Sequence, residues 1–186
     1  GVHNHINAMI VLALCDQLSL ERSLTVPAIC NYTGLAHRFE VIKQSVIKHD
    51  GEVLKQTWIN DSKATNIGAC QAALSCFVNP DEYLILIAGG DAKGVDLLPL
   101  KTSIEKHVDQ LIVMGKDAPK FMELVPSAIL VKNIQEAVAS SLLVLQKSHA
   151  ANATVLLSPA CASLDMFANY QERGEVFTAA VHEQVA

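Results

Sequence analysis

Four short runs, YLILIA (83–88), QLIVM (110–114), AILV (128–131) and TVLLS (154–158), are apolar almost without interruption. A strand with one face in water alternates apolar and polar residues, so a continuous run implies cover on both faces. Around these runs lie stretches with helical spacing, near residues 66–77, 99–107, 118–124, 134–147 and 165–184. Strands alternating with helices of this length predict parallel pairing through crossovers, and therefore an α/β fold with a doubly wound, mostly parallel sheet.

The N-terminal part follows other rhythms. From Phe39, FEVIKQSVIK and VLKQTWIND alternate, with His49-Asp50-Gly51-Glu52 between them. This predicts an antiparallel hairpin turned at Asp-Gly. Residues 6–20, INAMIVLALCDQLSL, have helical spacing with Asn4 as a cap, and a link containing Pro27 follows. Because that helix opens at the first residue, it is expected to belong to a unit whose remainder lies elsewhere.

Composition limits the function classes. At 186 residues, with 51% hydrophobic and 18% charged, the chain suits one packed domain plus a fragment of another. The net charge of −5 with scattered Lys and Arg argues against a nucleic-acid partner. No apolar run approaches the roughly 20 residues that cross a bilayer. Nothing at the N-terminus reads as an export signal, so the expected compartment is the cytoplasm. Five cysteines without a CxxC pair are read as reduced and mostly buried. His3, His5, His49, His107, His149 and His182 show no metal-ligand spacing.

Ligands of open α/β sheets bind beyond the carboxyl ends of the strands, which directs attention to three loops. Asp61-Ser62-Lys63-Ala64-Thr65-Asn66 offers a carboxylate, an ammonium and two helix caps; it suits a ribose and phosphate or a substrate carboxylate, or is a plain N-cap with Lys63 solvated. Gly89-Gly90-Asp91-Ala92-Lys93-Gly94 sets a cation beside backbone N–H groups expected to be free for an anion, or is a bare turn. It is not a P-loop, since G-x-x-x-x-G-K-[ST] occurs nowhere in the chain. In Pro159–Asp165, Ser163 or Asp165 is expected to start the last helix and to offer its N-terminus to a carboxylate. Together the three loops predict a pocket for a small dianion. His37 and Arg38, ahead of the first strand, either face a nucleotide or close a surface turn. No Ser/His/Asp triad is discernible.

The order GVHNHINA, GLAHRFE, WINDSKATN, GGDAK and LLSPACASLDMFANYQERG resembles the Mur ligase family over the whole chain, and DSKATN with SPACASLD resembles its D-glutamate-adding branch. The DNPR motif of the diaminopimelate- or lysine-adding branch is absent. The resemblance implies that residues 1–33 end a central ATPase domain and that residues 34–186 form a Rossmann-like C-terminal domain that binds the amino acid. It implies ATP with magnesium, D-glutamate and UDP-N-acetylmuramoyl-L-alanine as partners, a monomer, and a reaction through an acyl phosphate in peptidoglycan precursor synthesis. Carried over by motif, Asn4, Asn7, His37, Arg38, Asp61 and Lys63 bind nucleotide; Thr65 and Lys93 bind one carboxylate of D-glutamate, and Ser163, Leu164 and Tyr170 the other. Lys63 and Lys93 are the implied catalytic cations. The metal ligands are implied to lie outside this chain, which alone is expected to be inactive. Ala92 departs from the commoner GGDGK form, and Tyr170 stands where Phe is frequent. Two readings remain beside this one: a folylpolyglutamate-forming relative, and a stand-alone binding module.

Overall fold

The computed structural model describes residues 2–49 and 52–185 and divides into two compact units, residues 1–35 and 36–186. The first unit holds helices α1 (Val2–Gln17) and α2 (Arg22–Cys30). Two expectations change here. The Asn4 backbone lies inside α1 rather than capping it, and the helix stops at Gln17. The expected Pro27 link is itself helical, with Pro27 in the fifth turn-forming position after Arg22. There Pro removes one backbone donor from a helix of nine residues, which caps its stability.

The second unit is a six-stranded sheet of order β1-β2-β6-β3-β4-β5. Strands β1 (Glu40–His49) and β2 (Glu52–Asn60) pair antiparallel with a bulge between Val41 and Lys43; the Asp50-Gly51 turn expected to join them lies outside the described residues. All other pairings, through β3 (Glu82–Gly89), β4 (Gln110–Met114), β5 (Ile129–Leu130) and β6 (Asn152–Leu157), are parallel. The predicted mostly parallel α/β sheet with an N-terminal hairpin is what forms. Strands β3 and β6 sit centrally and are buried on both faces, which is why their sequences do not alternate.

Each face carries its own core. Helices α3 (Ile67–Leu74), α4 (Lys101–His107, entered through a 3-10 turn at Leu98–Leu100) and α5 (Ala118–Leu124) bury Leu74, Leu100, Ile104 and Phe121 against Leu84, Leu86 and Val113. On the other face α6 (Ile134–Ser148) and α7 (Tyr170–Gln184) bury Ile134, Val138, Phe177 and Val181 against Trp58, Ile85 and Val155. Asn66, Asn133 and Asn169 cap α3, α6 and α7 by accepting the N–H three residues on. Thus α7 begins at Tyr170, five residues beyond the expected 165, because Asn169 and not Ser163 or Asp165 supplies its cap. Of the cysteines, Cys70 and Cys161 are buried, whereas Cys15 is half-buried and Cys30 and Cys76 are exposed, so burial holds for two of five. Among the described residues no helix is long and apolar enough to cross a membrane.

Candidate functional site

Strands β2, β6, β3 and β4 all end at the same edge of the sheet, and the loops after them are knitted by specific hydrogen bonds. After β2, Asp61 is 8% exposed; its carboxylate accepts from Phe39 N (3.1 Å) and Ser158 Oγ (2.8 Å). Burial pushes this carboxyl up to about 6, against the opposing pull of those two hydrogen bonds and of Arg38. Ser62 donates its hydroxyl to Tyr170 O (2.8 Å) and its N–H to Asn60 Oδ1 (3.1 Å). Lys63 is tied by its N–H to His37 O, and its ammonium stands 4.1 Å from the centre of the Tyr170 ring. A cation over an aromatic face is partly ordered without being neutralised, which leaves it available to an anion. Thr65 is half-buried beside it, and Asn66 rather than Thr65 caps α3.

His37 and Phe39 both adopt positive φ (62° and 52°), an unusual pair for side chains of this size. The bend brings His37 Nδ1 within 3.1 Å of Asn60 Nδ2 and sets its ring edge-on to Tyr170. A Cβ at Gly174 would come within 2.3 Å of His37 Nδ1, so the glycine of α7 makes room for the imidazole. Arg38 is exposed.

After β3 the expectation of free N–H groups fails. Gly89 donates to Pro159 O, Gly90 to Met114 O, Asp91 to Ala162 O, Ala92 to Asp117 Oδ2 and Lys93 to Asp91 Oδ1. The glycines serve close approach instead: a Cβ on Gly89 would lie 2.0 Å from Met114 O, and one on Gly90 2.2 Å from Ala162 O. Lys93 itself is exposed at φ 53°. After β6, Ser163 is buried, its carbonyl closing a turn with Met166 and Phe167, while Leu164 is 64% exposed. The helix dipole expected at Ser163 is therefore not there, since α7 starts seven residues later.

Arg173 carried no role in the sequence reading and is central to the site. It is 1% exposed and donates to Ser62 Oγ (3.0 Å), Ser62 O (2.8 Å) and Cys161 O (3.1 Å), joining the loops after β2 and β6. Burial lowers its pKa to about 10, so it stays charged at neutral pH. The signal was present in YQERG, where an Arg four residues after an Asn cap faces the sheet. Cys161 and Cys70, packed beneath these loops, have thiols pushed up to about 12 by burial. The loop after β4 was also missed. Lys116 donates its N–H to Asp165 Oδ2 (2.8 Å) and its ammonium reaches Asp91 Oδ2 (3.1 Å); Asp117, 7% exposed, pairs with Lys120 at 2.8 Å.

The structure thus brings His37, Arg38, Asp61, Lys63, Thr65, Lys93, Ser163 and Leu164 onto loops at one edge of unit two, with Tyr170 beside them at the start of α7. Asn7 is exposed on α1 of the first unit, and the Asn4 side chain lies outside the described residues. A groove of about 460 Å³ adjoins the edge through Gly115, Lys116 and Asp165, and another of about 490 Å³ lies by Lys55 and Glu82; neither is lined by Lys63, Thr65, Lys93 or Ser163. Among the described residues no three His, Cys, Asp or Glu side chains cluster as metal ligands.

The chain is an α/β domain with helices on both faces of a mostly parallel sheet and with lysines and a buried arginine at the sheet's carboxyl edge. Residues 37–161 match the Mur ligase glutamate ligase domain, and the chain belongs to that family. It is 42% identical over 178 residues to the UDP-N-acetylmuramoylalanine–D-glutamate ligase of Pseudoalteromonas translucida, and 43% identical over 185 residues to that of Colwellia psychrerythraea. These alignments take in 95% and 97% of the chain but 37% and 36% of the relatives, so the chain spans little more than a third of their length. In fold it is similar to MurF from Acinetobacter baumannii (TM-score 0.66, 16% identity, 99% of this chain and 38% of that one). It is also similar to Escherichia coli FolC in complex with ADP (TM-score 0.66, 14% identity, 97% of this chain and 40% of that one).

Proposed function

We propose that this chain is the amino-acid-binding part of an ATP-dependent ligase that joins D-glutamate to UDP-N-acetylmuramoyl-L-alanine in peptidoglycan precursor synthesis. The observation that carries the reading is the meeting, at one sheet edge, of the Lys63–Thr65, Lys93 and Ser163–Leu164 loops in a chain whose curated relatives are named for that reaction. Residues 1–33 end the ATPase domain and residues 34–186 form the domain that binds the amino acid. The protein acts as a monomer in the cytoplasm.

Thr65 and Lys93 take one carboxylate of D-glutamate; Ser163, Leu164 and Tyr170 take the other. Asn4, Asn7, His37, Arg38, Asp61 and Lys63 serve the nucleotide. The terminal phosphoryl group of ATP passes to the acceptor carboxylate, giving an acyl phosphate and ADP. The free amine of D-glutamate attacks the acyl carbon, the C–O bond to phosphate breaks with its electron pair, and the amine proton goes to solvent. Negative charge spreads over phosphoryl oxygens and then over a tetrahedral intermediate, and prepositioned cations are the protein's main contribution. Lys63, held by the Tyr170 ring, and Lys93, on its pinned loop, supply two of them. Magnesium is usually held by one or two carboxylates together with the substrate phosphates; its protein ligands are assigned to the ATPase domain, and no step is routed through it here.

Lys93 and Leu164 are open to solvent, which fits a site completed only when an ATPase domain closes over it. Calorimetric titration of this chain with D-glutamate, repeated with Lys93→Ala, tests the assignment. Weak binding abolished by the substitution supports it, and binding indifferent to the substitution removes Lys93 from the site. In the full-length protein, failure to form product from D-glutamate would sink the reading as a whole.

A further inference from the structure

Lys93 has an unfavourable station for a residue meant to fix a carboxylate. Its backbone is left-handed, and its side chain is exposed. What holds its loop comes from elsewhere. Asp117 Oδ2 accepts the Ala92 N–H at 2.7 Å while the Asp117 N–H donates to Gly90 O at 3.0 Å, so one buried residue grips the loop on both sides of Asp91. Lys116, its neighbour, reaches Asp91 Oδ2, and Asp91 Oδ1 accepts the Lys93 N–H at 2.8 Å. The same short segment holds the opposite arm, because Lys116 N donates to Asp165 Oδ2, two residues after Ser163. The arms also touch each other through two hydrogen bonds of 2.9 Å between Asp91 and Ala162. Gly115 lets the three loops meet: a Cβ there would lie 2.6 Å from Asp165 Oδ2 and 2.8 Å from Gly90 Cα.

We infer that the Gly115–Asp117 loop is a spacer that sets the distance between the Lys93 arm and the Ser163 arm, and so selects the length of the dicarboxylic amino acid, with Asp117 and Asp165 as positioning residues. This rests on the ligase reading above. Two arms bonded to a common template and to each other cannot separate independently. A dicarboxylate longer or shorter by one methylene displaces its far carboxylate by about 1 Å, and misplacement on that scale costs on the order of a hundredfold in rate. Asp117 suits the task because it is 7% exposed and is held on both sides, its carboxylate accepting from the Ala92 N–H and its own N–H donating to Gly90 O.

The test uses the full-length ligase that contains this chain, with kcat and KM measured for D-glutamate, D-aspartate and ATP. Asp117→Ala should raise KM for D-glutamate about tenfold, the equivalent of one or two lost hydrogen bonds, and leave KM for ATP unchanged. It should also narrow the preference for D-glutamate over D-aspartate. Asp117→Asn, which retains an acceptor for the Ala92 N–H, should recover most of that preference, and Lys120→Ala should keep it. A merely structural role lowers yield, melting temperature and kcat but leaves KM and the preference where they were, and that pattern overturns the inference. If Asp117→Ala does not fold, the exposed Asp165→Ala carries the same measurement, and an unchanged preference there is equally fatal. Wild-type enzyme that makes no product from D-glutamate overturns the ligase reading itself, before any variant is compared.

Discussion

Arg173 and Asp61 are opposite solutions to burying a charge. Arg173 donates to no carboxylate among the described residues; its charge is dispersed over three oxygens, two of them backbone carbonyls. Lysine cannot reproduce that fork, so Arg173→Lys should leave at least one buried carbonyl unsatisfied and cost about 2–4 kcal/mol, measured by urea denaturation. Asp61 is the less comfortable of the two, since burial raises its carboxyl above the ordinary 3.8 to about 6. The folded state therefore takes up a proton as pH falls through about 6, whereas the unfolded chain waits until near 3.8. In that window this group makes folding more favourable as the solution becomes more acid, by an amount on the order of 3 kcal/mol. Asp61→Asn should lose that gain, which denaturant midpoints at pH 7 and pH 4.5 would reveal. Asp61, Lys63 and Lys93 were legible as site candidates because charged residues directly after apolar strands lie at the carboxyl edge of the sheet, where ligands of open α/β sheets bind. Arg173 was not, because a buried arginine inside an amphipathic helix reads as one more polar position until its partners, 12 and 111 residues away, are known.

At the scale of elements, the sheet and the Asn66 cap of α3 were legible, and the start of α7 was not. Continuous apolar runs located β3, β4 and β6 within a residue or two, because strands buried on both faces have no other way to be written. The run at 128–131 shrank to Ile129–Leu130, where β5 has a neighbour on one side only and Leu130 is 57% exposed. The start of α7 was misplaced because Ser163, Asp165 and Asn169 all qualify as caps by type, and the choice depends on where Arg173 must point. Glycines in GGD were read as anion-binding backbone, but their N–H groups are committed and their missing side chains are what the loops require. Gly90→Ala would place a Cβ against the Ala162 carbonyl at a φ of 121°, so it should destabilise unit two by roughly 2–4 kcal/mol and lower its melting temperature in calorimetry.

For the whole molecule, the division into residues 1–35 and 36–186 predicts that the larger unit unfolds as its own cooperative system, with two cores on a single sheet. Residues 36–186 on their own should unfold in a single transition, with circular dichroism and fluorescence in urea giving coincident curves. The cysteines divide along similar lines. Cys15 and Cys30 lie in the small unit, Cys76 is open on the large one, and Cys70 and Cys161 are sealed beneath these loops, where burial pushes their thiols up to about 12. Since only the thiolate is alkylated, a timed exposure to iodoacetamide marks the sealed pair solely during the moments when the loops over them part. The two sealed thiols therefore act as a chemical stopwatch for the opening of these loops.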